Sequence, residues 1–198
     1  QLLYINVRKQ IIMKVEETKL AGCFIIHDTI YGDERGYFFE SFNKQTFNQL
    51  TGLDIDFVQD NQSMSKYGVL RGLHFQKGTF AQSKLVRVMK GKVLDVAVDV
   101  RYNSPTFGEH VAVELTENNG VQLFVPRGFA HGFVVLSEEA VFFYKCDNYY
   151  NKQSEGGILY NDPALQIDWQ INDSDVVLSE KDKTNTLLAE VKTDLFFG

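Results

Sequence analysis

Residues 85–100 read LVRVMKGKVLDVAVDV, and their alternation decides the fold class. Leu94, Val96, Val98 and Val100 fall on one face of an extended chain while Asp95, Ala97 and Asp99 fall on the other, the period-2 pattern of a strand with one buried face. Residues 85–89 supply a second strand, and Lys90-Gly91 between the two is a turn signal. Further along, residues 111–115 and 121–125 flank Asn119-Gly120, a pair that tolerates the positive φ angles of a primed hairpin turn. Residues 140–146 form another strand, with Ala140, Phe142 and Tyr144 on one face. Many short strands with turns between them predict an all-β jelly-roll barrel or sandwich rather than a parallel α/β sheet.

The chain has 198 residues, 44% hydrophobic and 23% charged, which excludes a disordered or low-complexity protein and favours one domain. Met13-Lys14 reads as a start, so residues 1–12 are set aside as an upstream or expression-derived extension and residues 13–198 are taken as a single domain. Two short peripheral helices are expected. One spans residues 42–50, with Phe47 and Leu50 on a common face and Gly52 as its stop. The other lies in the C-terminal tail, where Ser179-Glu180-Lys181-Asp182 has the form of an N-terminal cap and Leu187, Leu188 and Val191 form a stripe. Without an apolar run of roughly 18 residues or a signal core, no membrane partner is expected and the cytoplasm is the default location.

A net charge of -6 argues against a nucleic-acid partner, whose binding would come from phosphate neutralisation. The charge is unevenly spread. Residues 61–94 contain no Asp or Glu yet carry Lys66, Arg71, Lys77, Lys84, Arg87, Lys90 and Lys92. Such a stretch is either a cationic wall for a small anionic ligand or a solvated strand face. Cys23 and Cys146 stand too far apart in sequence to indicate a disulfide framework or a thiolate zinc site, and are expected as buried, reduced thiols.

Two of the four histidines sit in glycine-bracketed strings, RGLHFQ at 71–76 and PRGFAHGF at 126–133. The spacing Gly120-x5-Pro126-x-Gly128-x2-His131 resembles the second motif of the cupin superfamily, a small barrel whose motif histidine faces a cavity; Val135 replaces the usual Asn. The first cupin motif is broken. Gln76 follows His74 where metal-binding members carry a second histidine, and Lys84 stands near the expected Glu. A divalent metal needs converging imidazoles and a carboxylate, and an ammonium group would repel it, so no metal is expected. An unligated imidazole beside a cation is suited to general-base work near neutral pH.

Nine strings, GDERGYFFES (32–41), FVQDNQS (57–63), VLRGLHFQ (69–76), KLVR (84–87), LDVAVD (94–99), SPTFG (104–108), PRGFAHGFVVLSE (126–138), YKCDNYY (144–150) and LSEKD (178–182), resemble in content and order those of the dTDP-4-dehydrorhamnose 3,5-epimerase family. The resemblance implies a cofactor-free isomerase that inverts C3 and C5 of dTDP-4-dehydro-6-deoxy-D-glucose in dTDP-L-rhamnose biosynthesis. Both carbons lie next to the C4 ketone, so the chemistry needs a base, an enolate partner and an acid on the opposite face. By analogy His74 is the base, Asp182 its orienting carboxylate, Tyr144 the acid and Lys84 the enolate partner. Asp95 would orient His74 or Lys84, and His131 would complete the sugar pocket. Arg35 and Arg71 would hold the diphosphate, whose oxygens suit a guanidinium fork, with Glu40, Gln59 and Asn61 as polar contacts. Tyr31, Phe38 and Tyr150 are the aromatic candidates for thymine, some of them coming, as the resemblance implies, from the neighbouring subunit of a strand-exchanged homodimer.

Each residue also has an ordinary reading. His131 alone would be a hydrogen-bonded core group, Asp182 the third-position partner of a Ser179 cap, Tyr144 a core aromatic and Lys84 an exposed strand charge. One of Phe38 and Phe39 should be core. His27 and His110 receive only the ordinary reading, and Gly72 beside His74 permits close approach of backbone or ligand. Competing functions are a related mono-epimerase or ketoisomerase, a non-catalytic sugar-nucleotide-binding cupin and a metal-dependent cupin oxygenase.

Overall fold

The computed structural model describes residues 2–7 and 10–191. Strands β1 (Leu2–Val7), β2 (Gln10–Glu17), β3 (Phe24–Asp28), β4 (Tyr31–Asp33) and β5 (Gly36–Phe38) precede helix α1 (Lys44–Thr51). After it come β6 (Gln59–Lys66), β7 (Leu70–Gln76), β8 (Lys84–Lys90), β9 (Lys92–Asp99) and β10 (His110–Thr116). The remaining strands are β11 (Val121–Val125), β12 (Phe129–Val135), β13 (Glu139–Cys146) and β14 (Glu155–Gly157). They form a seven-stranded sheet in the order β1-β2-β3-β11-β8-β13-β6, a five-stranded sheet β10-β9-β12-β7-β14, and the separate pair β4-β5. The architecture is a jelly-roll sandwich of two sheets, not a closed barrel. Residues 2–7 and 10–12, set aside above with the extension, run as β1 and the first part of β2, and β2 continues to pair with β3.

Both expected hairpins are overturned. Across Lys90-Gly91 the chain passes from β8 in the larger sheet to β9 in the smaller, and across Asn119-Gly120 it returns from β10 to β11. The glycines do take the left-handed conformation, φ 80° at Gly91 and 60° at Gly120. Turn chemistry sets the local reversal, while burial decides which sheet the next strand joins.

The alternation in β9 is present, but neither of its faces meets solvent. Val93 and Ala97 join Val86, Leu123, Phe133 and Phe142 inside the sandwich. Leu94, Val96, Val98 and Val100 pack outside against Ile158, Leu165, Trp169 and Leu188 of the C-terminal segment. Asp95 and Asp99, on the polar face, therefore point into the sandwich and are fully buried. A third cluster seats Phe47 and Leu50 of α1 on Met13, Val15, Ile26 and Phe124. Burying one such side chain stabilises by roughly 1.5–3 kcal/mol.

Helix α1 forms as its sequence dictates. Asn43 accepts the Thr46 N–H through its side chain at 3.1 Å, and Gly52, at φ 72°, donates its N–H to the Asn48 carbonyl at 2.9 Å. Among the described residues the expected C-terminal helix does not form. Residues 182–184 and 188–190 are single 3-10 turns, and the segment runs extended over the outer face of the five-stranded sheet. Its own backbone bonds are confined to isolated turns, such as Lys183 N–H to the Ser179 carbonyl at 3.2 Å, and it is otherwise tied to other elements: Val177 bridges Val69 and Thr186 bridges Ile158, both in parallel. Leu188 and Val191 are buried as expected, while Leu187 is 38% exposed.

Candidate active site

His74 on β7 and His131 on β12 are cross-strand partners in the five-stranded sheet. The two strands touch closely there. A Cβ added to Gly72 would lie 2.6 Å from the Gly132 Cα, so what the bare glycine admits is backbone. On the facing sheet, Tyr144 of β13 is paired with Asn61 of β6 and Val86 of β8. Lys84, at the start of β8, holds its Nζ 5.7 Å from the centre of the Tyr144 ring. A cavity of about 500 Å³ lies between the sheets, with Arg71, His74 and His131 on one wall and Asn61, Lys84 and Tyr144 on the other. An adjoining cavity of about 220 Å³ shares Asn61, His74, Lys84 and Tyr144 and adds Gln59, Gln76, Tyr150 and Glu155.

Two histidine–carboxylate pairs lie on the five-stranded side. His74 donates its Nε2–H to Asp182 Oδ1 at 2.5 Å, the tautomer being assigned from the carboxylate, which can only accept. That assignment leaves Nδ1 as the free basic nitrogen. Burial alone would raise the Asp182 carboxyl, but the bond from His74 and the Ser179 cap outweigh it and hold it below the ordinary value. The cap is itself observed, Asp182 N–H donating to Ser179 Oγ at 3.1 Å, so the cap and the contact with His74 coexist. Behind them His131 donates its Nε2–H to Asp95 Oδ1 at 2.9 Å. Burial pulls the His131 imidazole below its ordinary value although Asp95 opposes the shift, which favours the neutral ring.

On the facing wall, burial pushes the Tyr144 phenol up to about 12, which keeps its proton in place at neutral pH. Burial also lowers the Lys84 ammonium, an effect opposed by Cys146 and Asp95. An imidazole with a free nitrogen thus faces a protonated phenol and a desolvated amine across one sugar-sized space. Among the described residues no three His, Cys, Asp or Glu side chains gather as metal ligands. Gln76 is occupied, its Oε1 accepting the Asn151 N–H at 3.1 Å.

The structure thus brings together His74, Lys84, Tyr144, Asp182, His131, Arg71 and Asn61, with Gln59 and Tyr150 next door. Asp95 is present, but its hydrogen bond goes to His131 and not to His74 or Lys84. Four expected residues lie elsewhere. Tyr31, Arg35 and Phe38 belong to the exposed β4-β5 hairpin, where Arg35 is ion-paired with Asp33 and Phe38 is 72% exposed. Glu40 follows that hairpin and lines neither cavity. The cationic stretch is not one wall: Lys66 and Lys90 pair with Glu139, Lys92 pairs with Glu114, and Arg87 covers the Phe39 ring at 4.8 Å. Only Arg71 and Lys84 of it reach the larger cavity.

Sequence reasoning missed Lys181 and Glu155. Lys181 lines the larger cavity beside Asp182 and is ion-paired with Glu155, which also accepts the Tyr150 hydroxyl at 3.1 Å. The string LSEKD contained the lysine; Glu155 carried no signal beyond the glycine pair that follows it.

A family model described as dTDP-4-dehydrorhamnose 3,5-epimerase matches residues 17–190. The chain is 54% identical over 176 residues to the dTDP-4-dehydrorhamnose 3,5-epimerase of Salmonella typhimurium, covering 89% of this chain and 96% of that one. The crystal structure of the enzyme of that name from Elizabethkingia anophelis is 57% identical and superposes with a TM-score of 0.87, over 90% of this chain and 98% of that one. A dTDP-6-deoxy-D-glucose-3,5-epimerase from Legionella pneumophila, solved in complex with dTDP-4-keto-L-rhamnose, is 49% identical with a TM-score of 0.89. That alignment covers 93% of this chain and 97% of the Legionella one.

Proposed function

The chain belongs to the dTDP-4-dehydrorhamnose 3,5-epimerase family, and from that premise we propose that it inverts C3 and C5 of dTDP-4-dehydro-6-deoxy-D-glucose, giving dTDP-4-dehydrorhamnose for dTDP-L-rhamnose biosynthesis. The observation that carries this reading is the pairing of His74 with Asp182 on one wall of the cavity opposite Tyr144 and Lys84 on the other.

His74 Nδ1 takes the proton from C3 or C5, and the C–H electron pair moves into the bond toward C4, leaving an enolate charge on the C4 oxygen. Asp182 stabilises the imidazolium that forms. Lys84, held in a site of low dielectric, stabilises the enolate. Tyr144 then returns a proton to carbon from the opposite face, which inverts the centre. The phenolate is reprotonated and His74 releases its proton to solvent, so the cycle is redox-neutral and draws on no cofactor. His131, kept neutral against Asp95, borders the sugar. Arg71, at the mouth, takes the diphosphate, and Gln59, Asn61 and Tyr150 in the adjoining cavity take the nucleoside.

Tyr31, Arg35, Phe38 and Glu40 act, in this reading, on a second copy. The β4-β5 hairpin stands apart from its own cavity with its aromatic side chains exposed, as an arm reaching a neighbouring subunit of a strand-exchanged homodimer would.

The test is incubation with dTDP-4-dehydro-6-deoxy-D-glucose in heavy water followed by NMR at C3 and C5. Deuterium at both carbons is the expected result. Incorporation at C3 alone would make the protein a mono-epimerase, and none at either carbon a binding protein.

A further inference from the structure

One carboxylate outside both cavities is built into the seat of Asp182. The segment that carries Asp182 is tied at its two ends by single parallel bridges, Val177 to Val69 and Thr186 to Ile158. Beyond the second bridge, Leu188 donates its N–H to Asp162 Oδ2 at 2.6 Å. Asp162 is only 5% exposed, and its other oxygen accepts the Ala164 N–H at 2.9 Å. Its two oxygens thus join the turn after β14 to the end of the Asp182 segment through charge-assisted bonds, the stronger class of hydrogen bond.

Between this anchor and the cavity lies Gly157. It is the register partner of His74, and its carbonyl accepts the Thr186 hydroxyl at 3.3 Å. A Cβ at Gly157 would fall 2.3 Å from Asn185 Oδ1, so the bare glycine is what lets Asn185 settle against β14. His74, Gly157 and Asn185 are stacked in that order, and Asp182, three residues before Asn185, reaches back to His74.

We infer that Asp162 is a positioning residue for proton transfer. By pinning Leu188 it fixes the register of the Asp182 segment on β14 and, through that, the contact of Asp182 with His74. The inference rests on the roles proposed above for those two residues. Asp162→Asn keeps the shape but turns an N–H donor toward one of the two main-chain N–H groups, which breaks the tie.

The experiment measures loss of the C3 and C5 protons to heavy water in the wild type, Asp162→Asn, Asp182→Asn and the double variant. Asp162→Asn is expected to slow exchange about 10- to 100-fold, the scale on which small misplacements of catalytic groups cost rate. In the Asp182→Asn background the same change should add less than about twofold, because the residue it acts through is already gone. The low-field NMR signal of the His74–Asp182 proton should be shifted or lost in Asp162→Asn while the protein stays folded. Multiplicative effects of the two changes, or wild-type exchange in folded Asp162→Asn with Asp182→Asn impaired, would overturn the inference alone. Full activity in Asp182→Asn would overturn the catalytic reading beneath it. Should Asp162→Asn not fold, Leu188→Pro carries the same cycle, since it removes the one N–H that Asp162 Oδ2 accepts at the first position of a 3-10 turn, where proline is tolerated.

Discussion

The cavity and the β4-β5 hairpin carry comparable chemistry, arginine and aromatic rings, in opposite physical settings. In the cavity His74, His131 and Asp182 are held by partners in low dielectric, where breaking a pair leaves a buried polar group unmet. On the hairpin, Arg35 bonds Asp33 two residues away with both side chains in water, and the guanidinium holds the Asp33 carboxyl below its ordinary value. An exposed ion pair of that kind contributes little to stability and is easily exchanged. The cavity is preorganised within one chain, whereas the exposed hairpin pair is free to change partners, which in the proposed reading include a diphosphate on a second copy.

Removing His74, the proposed base, should break the cavity side of this contrast most deeply. His74→Asn is expected to lower deuterium incorporation at both C3 and C5 by at least about 1,000-fold, the upper part of the range for general-base catalysis. Tyr144→Phe should act more selectively. Net inversion, followed by product formation, should fall about 100-fold while proton loss to heavy water persists, because only the return of a proton from the far face is removed. Equal losses in both readouts would take the acid role away from Tyr144. The hairpin should respond differently. Arg35→Ala is expected to raise KM about tenfold with a smaller change in kcat, the pattern of lost ground-state binding. A refolded mixture of His74→Asn and Arg35→Ala chains should recover saturating affinity in part of its sites, since one kind of mixed site draws a base from one chain and an intact arm from the other. A mixture no better than Arg35→Ala alone would confine the hairpin to its own subunit.

The same contrast marks how far the sequence could be read. Alternation exposed β9 and β13, and Phe47, Leu50 and Gly52 marked α1, because those signals are local and period-bound. Partner choice was not local. Asn119-Gly120 and Lys90-Gly91 fix left-handed turns equally well in a hairpin and in a crossing between sheets, and only the shared core decides between them. Leu188 and Val191 were rightly read as buried, but the helical spacing that linked them to Leu187 was accidental, since an extended segment with tertiary partners needs no i to i−4 bonds. In the site, resemblance supplied His74, Asp182, Tyr144 and Lys84, which the fold brings together. Lys181 and Glu155 escaped because an ion pair joining a turn to a strand distant in sequence leaves no periodic trace. The run of seven basic residues suggested one surface because sequence distance hides the carboxylates, Glu139 and Glu114, that answer three of them from other strands.

The smallest expected effect tests whether burial at the rear of the cavity keeps the His131 ring neutral, in contrast with the solvated hairpin. Burial holds the His131 imidazole below the ordinary histidine value of 6.5. Between those two values the unfolded chain binds a proton that the folded chain refuses, so stability rises with pH through the window and falls on acidification below about 6.5. Asp182 works in the same direction, but only below the ordinary carboxylate value of 3.8. Asp28 runs the other way. Burial raises it to about 7, so the folded chain keeps a proton that the unfolded chain has lost, and its contribution weakens as pH rises from 3.8 toward 7. A single melting curve would mix these terms, whereas the difference between wild type and His131→Gln cancels Asp28, because glutamine still donates to Asp95 but does not titrate. On lowering the pH from 7 to 5, the variant should gain about 2–4 °C in Tm relative to wild type, equivalent to roughly 1 kcal/mol in a chain of this size. A difference that stays flat across that interval would mean His131 accepts its proton as readily in the folded state as in the unfolded one, and the neutral ring that the proposed chemistry places beside the sugar would be lost.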